Sequence, residues 1–127
     1  MCLPFATGGK PMKIELERRG DCQFIRLADD LSFWKQPELE GKLLAAFDAA
    51  LAGPPREVVL NLVEVLRIDS RGIATLVRLP IRCAQRNIGL KVVMPRGVPR
   101  EAIKHIHIFD PWPTFKDESS ALGNPHQ

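Results

Sequence analysis

The run Val58-Val59-Leu60-Asn61-Leu62-Val63 constrains this chain more than any other segment. Its apolar residues follow one another instead of alternating with polar ones. A strand with one solvated face alternates, whereas a continuous β-branched and leucine run is buried on both faces, in the middle of a sheet. Gly53-Pro54-Pro55 ends whatever precedes the run. After it, a short loop leads to Asp69-Ser70-Arg71-Gly72, where a helical pattern begins. The chain must therefore supply cover for both faces of a central strand.

The flanking sequence supplies that cover. Lys13 to Arg19 alternates, with Ile14 and Leu16 apolar between Glu15 and Glu17, and reads as a half-buried strand. Gly20-Asp21 is a turn signal, and Gln23 to Leu27 resumes as a second strand, so the two predict an antiparallel hairpin. Pro37-Glu38 opens a helix whose Leu39, Leu43, Leu44, Phe47 and Leu51 form one apolar face. A second helical pattern places Ile73, Leu76, Val77, Ile81 and Ala84 on one face, and Pro80 inside it should kink or split the helix. Leu90 to Met94 predicts a further buried strand and Pro99 to His105 a short helix. A brief edge strand at Thr114-Phe115 and a helical turn over Asp117 to Leu122 complete the pattern. Strands separated by helices imply crossover units and a sheet with parallel pairs. The expected architecture is a single α/β domain over residues 13–122, with a mixed sheet of four to five strands and three to four helices. Residues 1–12 read as a flexible lead-in and 123–127 as a disordered tail.

With 127 residues and 45% hydrophobic content, the chain can build such a core without staples. Its net charge of +3 is spread along the sequence with no basic block interleaved with aromatics, which argues against a nucleic-acid partner. Cys2, Cys22 and Cys83 form no C-x-x-C pair and are odd in number, so reduced thiols in a cytoplasmic protein are the expectation. No apolar stretch approaches the length of a membrane span, and the N-terminus lacks a signal-peptide pattern.

Ser70 is well placed to cap the helix that follows, its hydroxyl accepting from a backbone N–H two or three residues on. The same place suits a modification. A phosphate on Ser70 would face free N–H groups and add nearly two negative charges at the surface. Gly72 permits close backbone approach, and Arg71 is positioned to pair with a phosphate or to remain solvated.

The segment Val58 to Gly72, with the helix to Asn87 and the strand Leu90 to Met94, resembles the STAS family. That family covers anti-sigma-factor antagonists and the cytoplasmic domains of sulphate transporters. The resemblance spans roughly Lys13 to Leu122 and is densest in V-V-L-N-L, I-D-S-R-G-I and the K-V-V strand. It implies a STAS-like fold and a regulator that binds a protein partner. In antagonist members, the serine after the aspartate is phosphorylated by a kinase that is also the anti-sigma factor, and Ser70 holds that position here. The resemblance therefore implies an anti-sigma factor with serine kinase activity as partner. The partner-binding set is Asp29, Asp30, Ser32, Phe33, Asp69, Ser70, Arg71 and Gly72. Any ATP would belong to the partner, and the chain itself is expected to need no cofactor. Many antagonists carry a Gly-Glu-Leu-Asp-like turn after the second strand. The matching stretch here is Asp29-Asp30-Leu31-Ser32, with serine where the aspartate stands. Leu31-Ser32-Phe33 is closer to the turn of transporter-associated members, so the alternative partner is the ATPase or permease of a lipid or anion transport system.

Chemistry of other kinds finds little support. Ser70 has no G-x-S-x-G elbow around it, and the chain lacks phosphate-binding glycine fingerprints, so no catalytic role is expected. His105 and His107 would share a face if extended, but nothing nearby completes a metal set. Cys83 reads as a packed thiol. Trp34 and Trp112 flank proline-containing loops and fit either sheet-edge packing or a partner anchor.

Overall fold

A computed structural model describes residues 12–110 and 112–122. The lead-in and the tail, together with Cys2, lie outside the described residues except for Met12. The chain runs β1 (Lys13–Arg19), β2 (Cys22–Leu31), α1 (Glu38–Leu51), β3 (Glu57–Ile68), α2 (Ser70–Leu76), α3 (Arg78–Gln85), β4 (Gly89–Val93), α4 (Gly97–Ile106), β5 (Thr114–Phe115) and α5 (Glu118–Ala121). The five strands lie in sequence order, β1-β2-β3-β4-β5. β1 and β2 form the expected antiparallel hairpin, and the remaining pairs are parallel.

The apolar run of β3 is central, third of five, and buried on both faces. Val58, Leu60, Leu62 and Val65 join Ile25, Leu27, Leu31, Leu90 and Val92 in the main core. Leu39, Leu43 and Phe47 of α1, Leu76 of α2, Leu79 and Cys83 of α3 and Ile103 of α4 close that core from one side. The opposite face carries a second, small core of Phe24, Val59, Val93 and Ala121, the last from the single turn of α5. Adjacent residues such as Val58 and Val59 thus belong to different cores, as a period of two requires.

Three expectations need correction. The strands are longer than their apolar runs: β2 continues through Asp29 and Asp30 to Leu31, and β3 through Glu64 and Arg67 to Ile68. The expected loop before Asp69 is therefore strand, held in register by β2 up to the pair Leu31↔Ile68. Pro80 does split the second helical pattern, and the break falls at Val77. A proline in mid-helix lacks the N–H that would reach Leu76 and its ring crowds that carbonyl, so the chain restarts with Pro80 in the first turn of α3. The buried stripe nevertheless runs on at helical spacing, from Gly72, Ile73 and Leu76 to Leu79, Pro80 and Cys83, because Val77 keeps a helical backbone. Leu79, Pro80 and Cys83 are buried, while Ile81 and Ala84, expected on the apolar face, are exposed.

Candidate partner-binding site

The end of β3 and the end of β2 lie side by side, so the loops that follow them meet. Asp69 joins the two. One carboxylate oxygen accepts from the backbone N–H of Gly72 at 2.8 Å, and the other from that of Trp34 at 2.8 Å. Burial works against the charged form of this carboxyl, but N–H groups of Gly72, Trp34, Phe33 and Arg71 outweigh it and hold the pKa below its ordinary value. Asp69, not Ser70, is therefore the cap of α2. Aspartate accepts two donors at once, and its charge strengthens both bonds.

With Asp69 as the cap, Ser70 is left free of that role. It is the first residue of α2 and exposed, and its hydroxyl enters no hydrogen bond among the described residues. One of the backbone donors expected to greet a phosphate, the Gly72 N–H, is already taken by Asp69. A phosphate on Ser70 would instead sit beside a carboxylate. Arg71 is not free either: its guanidinium pairs with Glu40 of α1 at 2.9 Å. Gly72 is buried where α2 crosses β2, and a Cβ there would run into the carbonyl oxygen of Leu31 and lie 3.0 Å from the Ile68 side chain. The close approach expected at Gly72 is thus made.

The structure divides the remaining expected contact residues. Phe33 is fully buried in the main core and cannot touch a partner; a bulky apolar ring beside the end of the sheet is drawn inward, out of water. Its neighbour Trp34 is 74% exposed. Asp29 is a strand residue at positive φ (71°), and Asp30 accepts from the Ser32 N–H at 2.9 Å, closing the turn that leads to Trp34. Asp29, Asp30 and Ser32 are half-buried. The exposed members of the assembled surface are thus Trp34, Ser70 and Arg71, with Asp69 as the tie between its two loops.

Other candidates resolve simply. His105 and His107 do not lie on an extended segment: His105 is in α4 and His107 caps its C-terminus at φ 63°, its Nδ1 2.7 Å from Asp110. No group of three metal-ligating side chains occurs among the described residues. Cys83 is fully buried, and burial pushes its thiol up to about 11. Trp112 packs against the main core. No described helix is long and apolar enough to cross a membrane.

The model of the STAS domain family matches residues 13–121. No curated protein sequence matches the chain. Among solved structures, an anti-sigma factor antagonist from Mycobacterium paratuberculosis is similar, with a TM-score of 0.68 and 19% identity over 92% of this chain and 96% of that one. The anti-sigma factor antagonist SpoIIAA in its unphosphorylated form gives 0.67 and 16% over 90% and 96%. A sulfate transporter family protein from Wolinella succinogenes gives 0.65 and 16% over 82% and 84%.

Proposed function

The chain belongs to the STAS domain family, and from the surface built around Asp69 we propose that it is a binding regulator in the manner of an anti-sigma-factor antagonist, switched by phosphorylation of Ser70. One observation carries this reading. Asp69 takes over the helix cap, which leaves the Ser70 hydroxyl exposed and without a hydrogen bond among the described residues. A serine spent on capping would be a poor kinase substrate; this one is presented.

The geometry also supplies a way for the modification to act. A phosphate would bring close to two negative charges next to the Asp69 carboxylate, whose two backbone bonds hold the loop after β2 against the loop after β3. Repulsion between the two anions would loosen the Trp34 tether, and any partner covering Ser70 would have to desolvate the new charge. Both effects weaken binding. The unphosphorylated form is then the binding form, and an anti-sigma factor with serine kinase activity is the partner that would both dock on this surface and modify it.

The test is tandem mass spectrometry of the protein purified from its native host, sampled across growth and stress conditions. Phosphate should map to Ser70 and disappear in Ser70→Ala. Persistent absence would sink the switch and leave a constitutive docking subunit.

A further inference from the structure

A second feature opens beside this surface. Ser32, Leu66, Arg67, Ile68, Val98, Pro99 and Ala102 line a groove of about 320 Å³ between the end of β3 and the first turns of α4. We propose that it is a docking groove for a segment of a protein partner that carries a bulky apolar side chain beside a carboxylate. The inference rests on the reading of the chain as a partner-binding module.

The groove is made by an irregularity in the sheet. The β2–β3 register passes from Asp29↔Val65 to Asp30↔Arg67, so Leu66 has no partner across the ladder. Such a bulge re-aims side chains. Regular alternation would turn one of Leu66 and Arg67 inward, yet both are exposed, Leu66 to 69%. Across the groove Val98 is 81% exposed. Single apolar residues at a surface are ordinary, but two that share the lining of one groove are a pattern associated with interaction sites.

Charge selects the occupant. Arg67 is the only charged side chain in the lining, and among the described residues it enters no ion pair. Arg96, two residues before Val98, is likewise exposed and in no ion pair among the described residues. An apolar floor beside a guanidinium fits an apolar side chain flanked by aspartate or glutamate. A second copy of this chain would bring Arg67 towards its own equivalent in a two-fold contact. A small ligand would fill the floor but leave the outer parts of Leu66 and Val98 in water. A protein segment covers both. Ser32 and Ile68 belong to the groove and also adjoin the Asp69 loops, so one partner can span the two surfaces.

The experiment places the photo-crosslinking residue p-benzoylphenylalanine at Val98, or separately at the exposed Ala74 of α2, in the full chain expressed in its native host. Adducts are mapped by mass spectrometry. Adducts at Val98 should fall on a protein segment with aspartate or glutamate within a few residues of a bulky apolar side chain. Their yield should drop about tenfold in Arg67→Glu and largely persist in Arg67→Lys, with both variants shown to be folded by circular dichroism. The groove assignment is overturned if Val98 yields no adducts, only lipid or a second copy of this chain, segments without acidic residues, or a yield that charge reversal leaves unchanged. Adducts at Ala74 without any at Val98 would remove the groove and keep the surface around Ser70. The converse would keep the groove and count against that surface.

Discussion

Gly72 and Gly41 are both helical, and one added methyl should move them in opposite directions. At Gly72 the new Cβ collides with the Leu31 carbonyl, a backbone atom that cannot swing aside. Gly72→Ala should therefore destabilise the protein by about 1–3 kcal/mol, read as a lower urea midpoint. At Gly41, in the exposed part of α1, nothing lies within 4 Å of the added atom. Gly41→Ala should stabilise by roughly 0.5–1 kcal/mol, because the unfolded chain loses freedom and nothing is crowded. Asp69→Ala removes a cap and a loop tether together. A cost of about 1–2 kcal/mol is expected from the cap alone, and the Trp34 amide, whose only acceptor among the described residues is that carboxylate, should exchange faster with solvent. Equal exchange in the two proteins would contradict the tether. The motif around Ser70 was legible in the sequence, but its division of labour was not. Serine and aspartate both cap helices well, and only the arrival of Trp34 from a loop 35 residues away decides between them.

At the scale of elements, the single turn of α5 does more than its length suggests. Glu118 accepts from Arg26 in a bidentate contact and from Asn61, and the Lys91 ammonium donates to the Ala121 carbonyl. Arg26 also reaches Glu17 and Glu15 on β1, and its guanidinium lies 4.9 Å from the Phe24 ring. A double-mutant cycle of Arg26→Ala and Glu118→Gln should give a coupling of about 1 kcal/mol, the partial exposure of both groups keeping it modest. Either variant should also speed labelling of the Cys22 thiol, which packs at the margin of the core that α5 covers. A pair of variants whose effects simply add would show that the contact is idle. Sequence periodicity revealed the elements that bury long apolar faces: α1, β4 and the first half of β3. It stopped short where polar residues continue a strand, as in Glu64 to Ile68, because hydrogen bonds to β2 extend the ladder beyond the apolar run. It also gave the wrong face for α3: the apolar residues Ile81 and Ala84 suggest one stripe, but the buried stripe runs beside it from Gly72 and Leu76 to Leu79 and Cys83, and includes Pro80. Phe33 was expected at the partner surface because the turn Leu31-Ser32-Phe33 resembles one that family members use for binding. Its burial is a tertiary outcome, the ring joining a core built from helices and strands distant in sequence.

For the molecule as a whole, pH reports these contacts together. Arg19 and then Arg26 pull Glu17 down to about 2, and Arg26 likewise lowers Glu118. Folded-state values below the unfolded ones mean stability that is complete above the unfolded carboxylate range and lost as pH falls through the folded values. The urea midpoint should hold steady from about pH 7 to about pH 5 and fall steadily below about pH 4. Cys83 acts at the other end. Its buried thiol titrates near 11 against 9.0 ordinarily, so stability is complete below the unfolded value and declines as pH rises from there through the folded one. Cys83→Ala should lower the midpoint throughout and flatten that alkaline decline. A slope equal to that of the parent protein would show that another group is responsible. The order of the sheet has a further consequence, for synthesis. Because the strands lie in the order in which they are made, each new strand emerges from the ribosome beside an edge already formed, and none has to be inserted between two earlier ones. A nascent chain can grow its sheet by addition at one side. Of these elements α5 is made after all five strands, and it is the one that closes the second face, so until it has left the ribosome Phe24, Val59 and Val93 stay open to chaperones.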